Sequence, residues 1–221
     1  MSVDWASEYL TSLLIIKEKI KELNPKMILD IGCGDGRLIN DLSKTFVDKS
    51  FFGIDYSAKA IQFAKIMSER NNAKFQLENI LDKQPEGNKK YDFVTLVEVL
   101  EHIPINSLNN FIIQALKRVK KDGYFLIIVP HENKKLISKH FQHFNVTRLK
   151  EVLESCSQRI KFIETLYMDK QKWYLHFFRR LAKNRFYTIH FLWQAYLKFS
   201  LYSFPNLESD CGRILIVAKI K

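Results

Sequence analysis

The stretch Met27-Ile-Leu-Asp-Ile-Gly-Cys-Gly-Asp-Gly-Arg37 decides the fold. Met27 to Ile31 is an apolar run of the kind that forms a strand buried on both faces. Three alternating glycines follow, Gly32, Gly34 and Gly36, and then a helical pattern carried by Leu38, Ile39 and Leu42. A glycine-rich turn between strand and helix folds tightly, adopts positive φ where needed and sets no Cβ between backbone and ligand. The helix beyond it offers free N–H groups and the positive end of its dipole, which suit a carboxylate or a phosphate. This strand, turn and helix predict an α/β chain with a doubly wound, mostly parallel sheet.

The flanks narrow the ligand. Asp30 sits just before the turn, and Phe51-Phe-Gly-Ile-Asp55 is a second apolar strand ending in an acid. A carboxylate about twenty residues beyond the glycines meets ribose hydroxyls in a nucleotide-binding βαβ unit. The third glycine follows the second by two residues, where the dinucleotide fingerprint has three, which argues against NAD. With these residues in view, Leu29-Asp-Ile-Gly-Cys-Gly-Asp-Gly36 and Gly53-Ile-Asp55 resemble motifs I and II of the class I S-adenosylmethionine (SAM) methyltransferases. The resemblance implies a seven-stranded sheet with an antiparallel last strand, SAM as cofactor and S-adenosylhomocysteine as product. It implies a cofactor site that includes Asp30, Gly32, Cys33, Gly34, Asp55 and Tyr56.

Further strands extend the pattern. Lys74 to Asn79 reads as the third. In the family the residue at the Asn79 position is often an aspartate that accepts from the adenine amino group, with the next N–H, here that of Ile80, facing the ring. Asparagine still accepts through its side-chain oxygen, and Asp82 is a nearby substitute. Tyr91 to Val97 reads as the fourth strand. Glu98-Val-Leu-Glu-His102 after it resembles the ubiquinone-pathway O-methyltransferases and falls at the switch point where open α/β sheets bind ligands. Glu98 is therefore expected to touch cofactor and reaction. The primary reading of Glu101 and His102 is structural, with no metal required. The alternative joins Glu98, Glu101 and His102 into part of a cation site, as in small-RNA 3′-end 2′-O-methyltransferases and some ubiquinone-pathway enzymes; mixed carboxylate and imidazole ligation suits a divalent ion.

A helix over 106–120, a turn at Lys120-Lys-Asp-Gly123 and a core strand Tyr124 to Pro130 follow. His140-Phe-Gln-His-Phe-Asn-Val-Thr-Arg-Leu149 resembles a helix start that closes the substrate pocket in small-molecule methyltransferases, with Asn145 as N-cap. Methylation of an alcohol, phenol or ammonium group requires loss of a proton, which calls for a base. His131, just beyond a strand end, is the first candidate, followed by His140, His143 and Glu98.

Composition bounds the rest. At 221 residues, 47% hydrophobic and 27% charged, the chain fits one domain of this type, 1–221, with an N-terminal cap helix over 1–24. That helix is expected to cover a sheet edge, and the resemblance implies that its Trp5 and Tyr9 close over the cofactor. Cys33, Cys156 and Cys211 give neither a disulfide framework nor a metal-ligand spacing, and the N-terminus has no signal-peptide pattern. These features point to the cytoplasm.

One segment exceeds the minimal fold. Lys170 to Ser200 carries ten aromatics, seven Lys or Arg and no acid; without those seven charges the net charge falls from +11 to +4. A helical insertion over 169–207 is expected, before a last strand at Cys211 to Lys219. Three uses compete for it: a lid over a small-molecule or lipid-linked substrate, peripheral contact with an anionic membrane at its inner face through 170–204, and nucleic-acid binding. The matching function classes are methyl transfer to O or N of a small metabolite, sugar or lipid-linked precursor, metal-assisted RNA 2′-O-methylation, and a non-catalytic SAM-fold partner subunit.

Overall fold

β1 (Met27–Ile31) takes a central place because four of its five side chains are apolar, and its one acid, Asp30, is hydrogen-bonded by Thr95. It pairs in parallel with β2 (Ser50–Asp55) on one side and β4 (Tyr91–Val97) on the other. β3 (Ala73–Leu77) adds to β2, and β5 (Val119–Pro130) adds to β4, both in parallel. β7 (Arg213–Ile220) then runs antiparallel between β5 and β6 (Ile160–Met168), so the seven-stranded order is β3-β2-β1-β4-β5-β7-β6. The computed structural model describes residues 3–82, 89–169, 173–183, 187–202 and 204–221. The side chains of Trp5, Trp173, Tyr174, Phe186 and Phe199, all singled out by sequence, lie outside that description.

Helices cover both faces, as a parallel sheet requires. On one face α1 (Val3–Leu23), α2 (Arg37–Thr45) and α3 (Ala58–Ile66) bury Ile16, Ile20, Ile39, Leu42 and Ala64 against Phe51, Phe93 and Leu126. On the other, α4 (Leu108–Leu116) and α5 (Val146–Cys156) pack Ile112, Ala115, Leu149 and Leu153 against Leu29, Val94 and Ile127. α1 ends where Asn24 turns left-handed at φ 46°, just before Pro25. Asn145 caps α5, its Oδ1 accepting from the Arg148 N–H at 2.8 Å.

Two elements differ from the sequence reading. The helix expected over 106–120 is shorter, with a 3-10 turn at Ile105–Ser107 before α4. The turn expected at Lys120–Gly123 lies inside β5, whose pairing with β4 begins at Tyr91–Val119 and shifts register before Phe93–Tyr124. Asp122, left-handed at φ 62°, sits in the irregular stretch, so the chain bulges while keeping its strand direction.

The insertion forms α6 (Trp173–Ala182) and α7 (His190–Tyr202) between β6 and β7. It has a small core of its own, Ala182, Trp193 and Tyr196, with the last two rings stacked 5.4 Å apart. Among the described residues no helix is long and apolar enough to cross a membrane.

Candidate active site

Parallel register brings the carboxyl ends of β1, β2 and β4 level, with Ile31 opposite both Ile54 and Leu96. Gly32 and Cys33 both donate their N–H groups to Ile54 O, at 2.8 and 3.0 Å, which folds the glycine turn back over β2. Gly32 has φ 76°, and a Cβ there would lie 2.6 Å from Val99 Cγ2, so backbone angle and space both demand glycine. Gly34 has φ 55° but nothing within 4 Å of a Cβ position; its open side is room for a ligand. Asp55 holds this turn. Its Oδ2 accepts from Gly34 N–H at 2.9 Å and its Oδ1 from Ser57 N–H at 2.8 Å, leaving further lone pairs for hydroxyl groups.

Two cavities open along these strand ends. The larger, about 740 Å³, is walled by Gly32, Asp55, Tyr56, Asn79, Ile80, Leu81, Val99 and Phe111, among others. Tyr56 is 79% exposed and Ile80 buried, giving one aromatic and one aliphatic wall. Asn79 Oδ1 accepts from Leu81 N–H at 3.2 Å, and its Nδ2 donates to Asp82 Oδ2 at 2.7 Å. Asp82 is thus a partner of Asn79.

The smaller cavity, about 330 Å³, is charged. Its wall includes Glu8, Tyr9, Asp30, Cys33, Glu98, Glu101, His140 and Arg213. Gly32, Glu98 and His102 wall both cavities. Burial pushes the Asp30 carboxyl up to about 7, although Thr95 Oγ1 donates to its Oδ1 at 2.7 Å. Burial also raises the Cys33 thiol far above its ordinary value, so it is no nucleophile. Glu98 sits at φ 56°, an angle that costs a non-glycine residue on the order of 1–3 kcal/mol. Its Oε1 is buried without a hydrogen bond, 3.5 Å from Arg213 Nη1.

Glu101 is the most telling side chain. It is wholly buried, and among the described residues neither carboxylate oxygen has a hydrogen-bond partner. Burial, reinforced by the neighbouring Glu98, raises its pKa and favours the protonated acid. One ligand atom from each of Glu101, His102 and His140 falls within 4.8 Å of the others. An orphaned carboxylate beside two imidazoles fits a divalent cation. The set differs from the alternative cation site of the sequence reading, Glu98, Glu101 and His102: His140 stands in place of Glu98, whose carboxylate is ion-paired to Arg213. Burial and the adjoining His102 and His143 lower the His140 pKa to about 4, so its ring is neutral at neutral pH.

A model of the methyltransferase domain matches residues 24–189. The chain belongs to the class I SAM-dependent methyltransferases. SAM is its cofactor. It is similar to a ubiquinone biosynthesis O-methyltransferase of Pelagibacter ubique, 32% identical over 112 residues, which are 51% of this chain and 45% of the relative. The chain thus spans about half the length of that relative. Its fold is similar to the methyltransferase domain of bacterial CtHen1-C, with TM-score 0.67 at 15% identity over 96% of this chain and 98% of the other. The plantazolicin methyltransferase BamL, solved with a desmethyl analogue and S-adenosylhomocysteine, gives TM-score 0.64 at 17% identity, covering 97% and 84%.

For this methyltransferase the first-choice base is displaced. His131 is 3% exposed and walls neither cavity. Its Nδ1 accepts from Asn133 N–H at 3.0 Å within the same turn, and its Nε2 lies 3.1 Å from Glu208 Oε1, which ties the β5 exit to the segment before β7. Tyr9 does reach the smaller cavity, its hydroxyl bonded to Asp41 and its ring under the Arg37 guanidinium. Arg213 escaped the sequence reading. Wholly buried at the start of β7, it donates to Ser12 Oγ and Glu8 O at 2.8 and 2.7 Å and pairs with Asp169. A lone charge at the head of the apolar run Ile214–Ala218 was the available signal. Among the described residues, none from 173 to 207 walls either cavity, so the lid role of the insertion finds no contact there.

Proposed function

We propose that this chain transfers the methyl group of SAM to a hydroxyl oxygen of a small or lipid-linked acceptor. The observation that carries the reading is the shared wall of Gly32, Glu98 and His102, which joins an apolar cavity of nucleoside size to a charged one. Asp55 binds the ribose hydroxyls, Asn79 and Ile80 the adenine, and Tyr56 covers it, while Asp30, Gly32, Cys33, Gly34 and Glu98 frame the methionine end. The sulfonium supplies an already activated methyl group, so the protein has mainly to align the acceptor and exclude water. The ubiquinone-pathway relative supports oxygen as the acceptor atom.

Glu101, His102 and His140 are the residues that would hold a divalent ion, which would lower the pKa of an acceptor hydroxyl bound to it. Without an ion, neutral His140 is the base that takes the hydroxyl proton. The exposed Phe177, Leu181 and Phe191 of the α6–α7 hairpin, within a segment rich in Lys and Arg, support peripheral contact with an anionic membrane that carries the acceptor.

The test combines calorimetry with S-adenosylhomocysteine and methyl-labelled SAM offered to lipid, polar-metabolite and RNA fractions. Cofactor binding with label in the lipid or polar fraction is expected, suppressed by EDTA. Absence of cofactor binding would sink the reading. Label in RNA would replace it with RNA methylation, and activity resistant to EDTA would select His140 as base.

A further inference from the structure

We propose that His143 is a positioning residue that makes His140 a metal ligand by dictating which of its ring nitrogens is bare. This rests on the cation reading of Glu101, His102 and His140 given above. A neutral imidazole carries one N–H and one lone pair, and the partner of one nitrogen decides the state of the other. A backbone carbonyl can only accept. His143 Nδ1 lies 3.1 Å from Lys134 O, so it carries the hydrogen and leaves Nε2 as an acceptor. His140 Nδ1 lies 2.8 Å from that Nε2 and must donate to it. His140 Nε2 is then left with the free lone pair.

The second imidazole reaches the same state by a shorter route. His102 Nδ1 donates to Lys139 O at 3.0 Å, which leaves its Nε2 bare, 3.8 Å from Glu101 Oε1. The two rings stand almost perpendicular, 88° apart, with centroids separated by 4.7 Å. Both ligand histidines are thus fixed in the Nδ1–H tautomer, one by a carbonyl directly and the other by a carbonyl relayed through His143. Arg148 Nη1 holds the relay in place by donating to His143 O at 3.0 Å. The carboxyl of Glu101, wholly buried and with no hydrogen-bond partner for either oxygen among the described residues, is the independent sign that this cluster awaits a ligand. Outer-shell partners that fix a ligand histidine are worth roughly 10–100-fold in metal affinity.

The test uses the full chain freed of metal, titrated with Mn2+ and Zn2+ by calorimetry, with ring-nitrogen NMR of the metal-free protein. His143→Phe keeps an aromatic ring but removes the acceptor; His143→Gln keeps an acceptor for His140 and a donor for Lys134 O. Wild type should show His140 as the Nδ1–H tautomer. His143→Phe should lose that tautomer and bind Mn2+ about 10–100-fold more weakly, and His143→Gln should recover most of the affinity. S-adenosylhomocysteine affinity should be equal in all three, which reports intact folding. Unchanged Mn2+ affinity in His143→Phe overturns this proposal alone. A wild type that binds neither metal overturns the cation reading and this proposal with it. Should His143→Phe fail to fold, an Nε2–H tautomer of His140 in wild type still overturns the relay.

Discussion

The two cavities are built by different means. The larger is lined chiefly by side chains and turns from consecutive βα units, β1 to β4, and its chemistry is that of apolar walls, backbone N–H groups and the Asp55 carboxylate that holds the glycine turn. The smaller collects charges from distant parts of the chain: Glu8 from α1, Glu98 and Glu101 after β4, His140 before α5 and Arg213 from β7. A site assembled within one supersecondary unit tolerates little change in its backbone angles. One assembled from four distant segments depends on each buried charge finding its partner, and it is where pKa values move furthest.

Changes in the first cavity should be felt in cofactor affinity. Asp55→Ala removes the proposed acceptor for two ribose hydroxyls; at about 1.5–3 kcal/mol for each charged hydrogen bond, S-adenosylhomocysteine should bind at least about 100-fold more weakly by calorimetry. Retained affinity would move the ribose elsewhere.

The second cavity should show in pH dependence. Buried Asp30 titrates at about 7 when folded against an ordinary 3.8, so between these values the folded state binds the extra proton. Stability present at low pH is therefore lost as pH rises through that window, by at most about 4 kcal/mol. Asp30→Asn keeps an acceptor for Thr95 and should flatten the fall of melting temperature from pH 5 to 8. An unaltered slope would show Asp30 to be ionised throughout.

His131 separates the two regions most sharply. His131→Ala breaks the contacts to Glu208 and Asn133 and should cost about 1–3 kcal/mol in chemical unfolding. It should leave S-adenosylhomocysteine affinity unchanged; a loss of cofactor affinity would return His131 to the site. The smallest effect belongs to Gly34→Ala. With open space around the Cβ but a left-handed backbone, it should cost about 1–2 kcal/mol of stability, read by urea unfolding. A larger loss would mean that the turn cannot relax.

These outcomes follow how far each region was legible in sequence. Asp55, Asn79 and Ile80 all wall the larger cavity; the place of Asp55 was legible from the spacing of one βα unit, and those of Asn79 and Ile80 from the resemblance to the family. His131 has the address of a base, just past a strand end, but it walls neither cavity, and its distant partner Glu208 comes from a segment with no fixed spacing to it. Glu101 and His102 were read first as structural, and the alternative cation site joined them to Glu98. Only the buried Arg213 explains why that carboxylate is engaged elsewhere and why His140 completes the cluster.

The glycine turn, the parallel strands with helices on both faces, and the choice of SAM over a dinucleotide were determined by the sequence alone, because they depend on local periodicity and on backbone angles that only certain residues adopt. Which acids stay protonated, which histidines face a cavity and which tautomers they hold were decided by tertiary structure. Those properties depend on burial and on partners brought together by the sheet order, and β7, last in sequence, lies between β5 and β6.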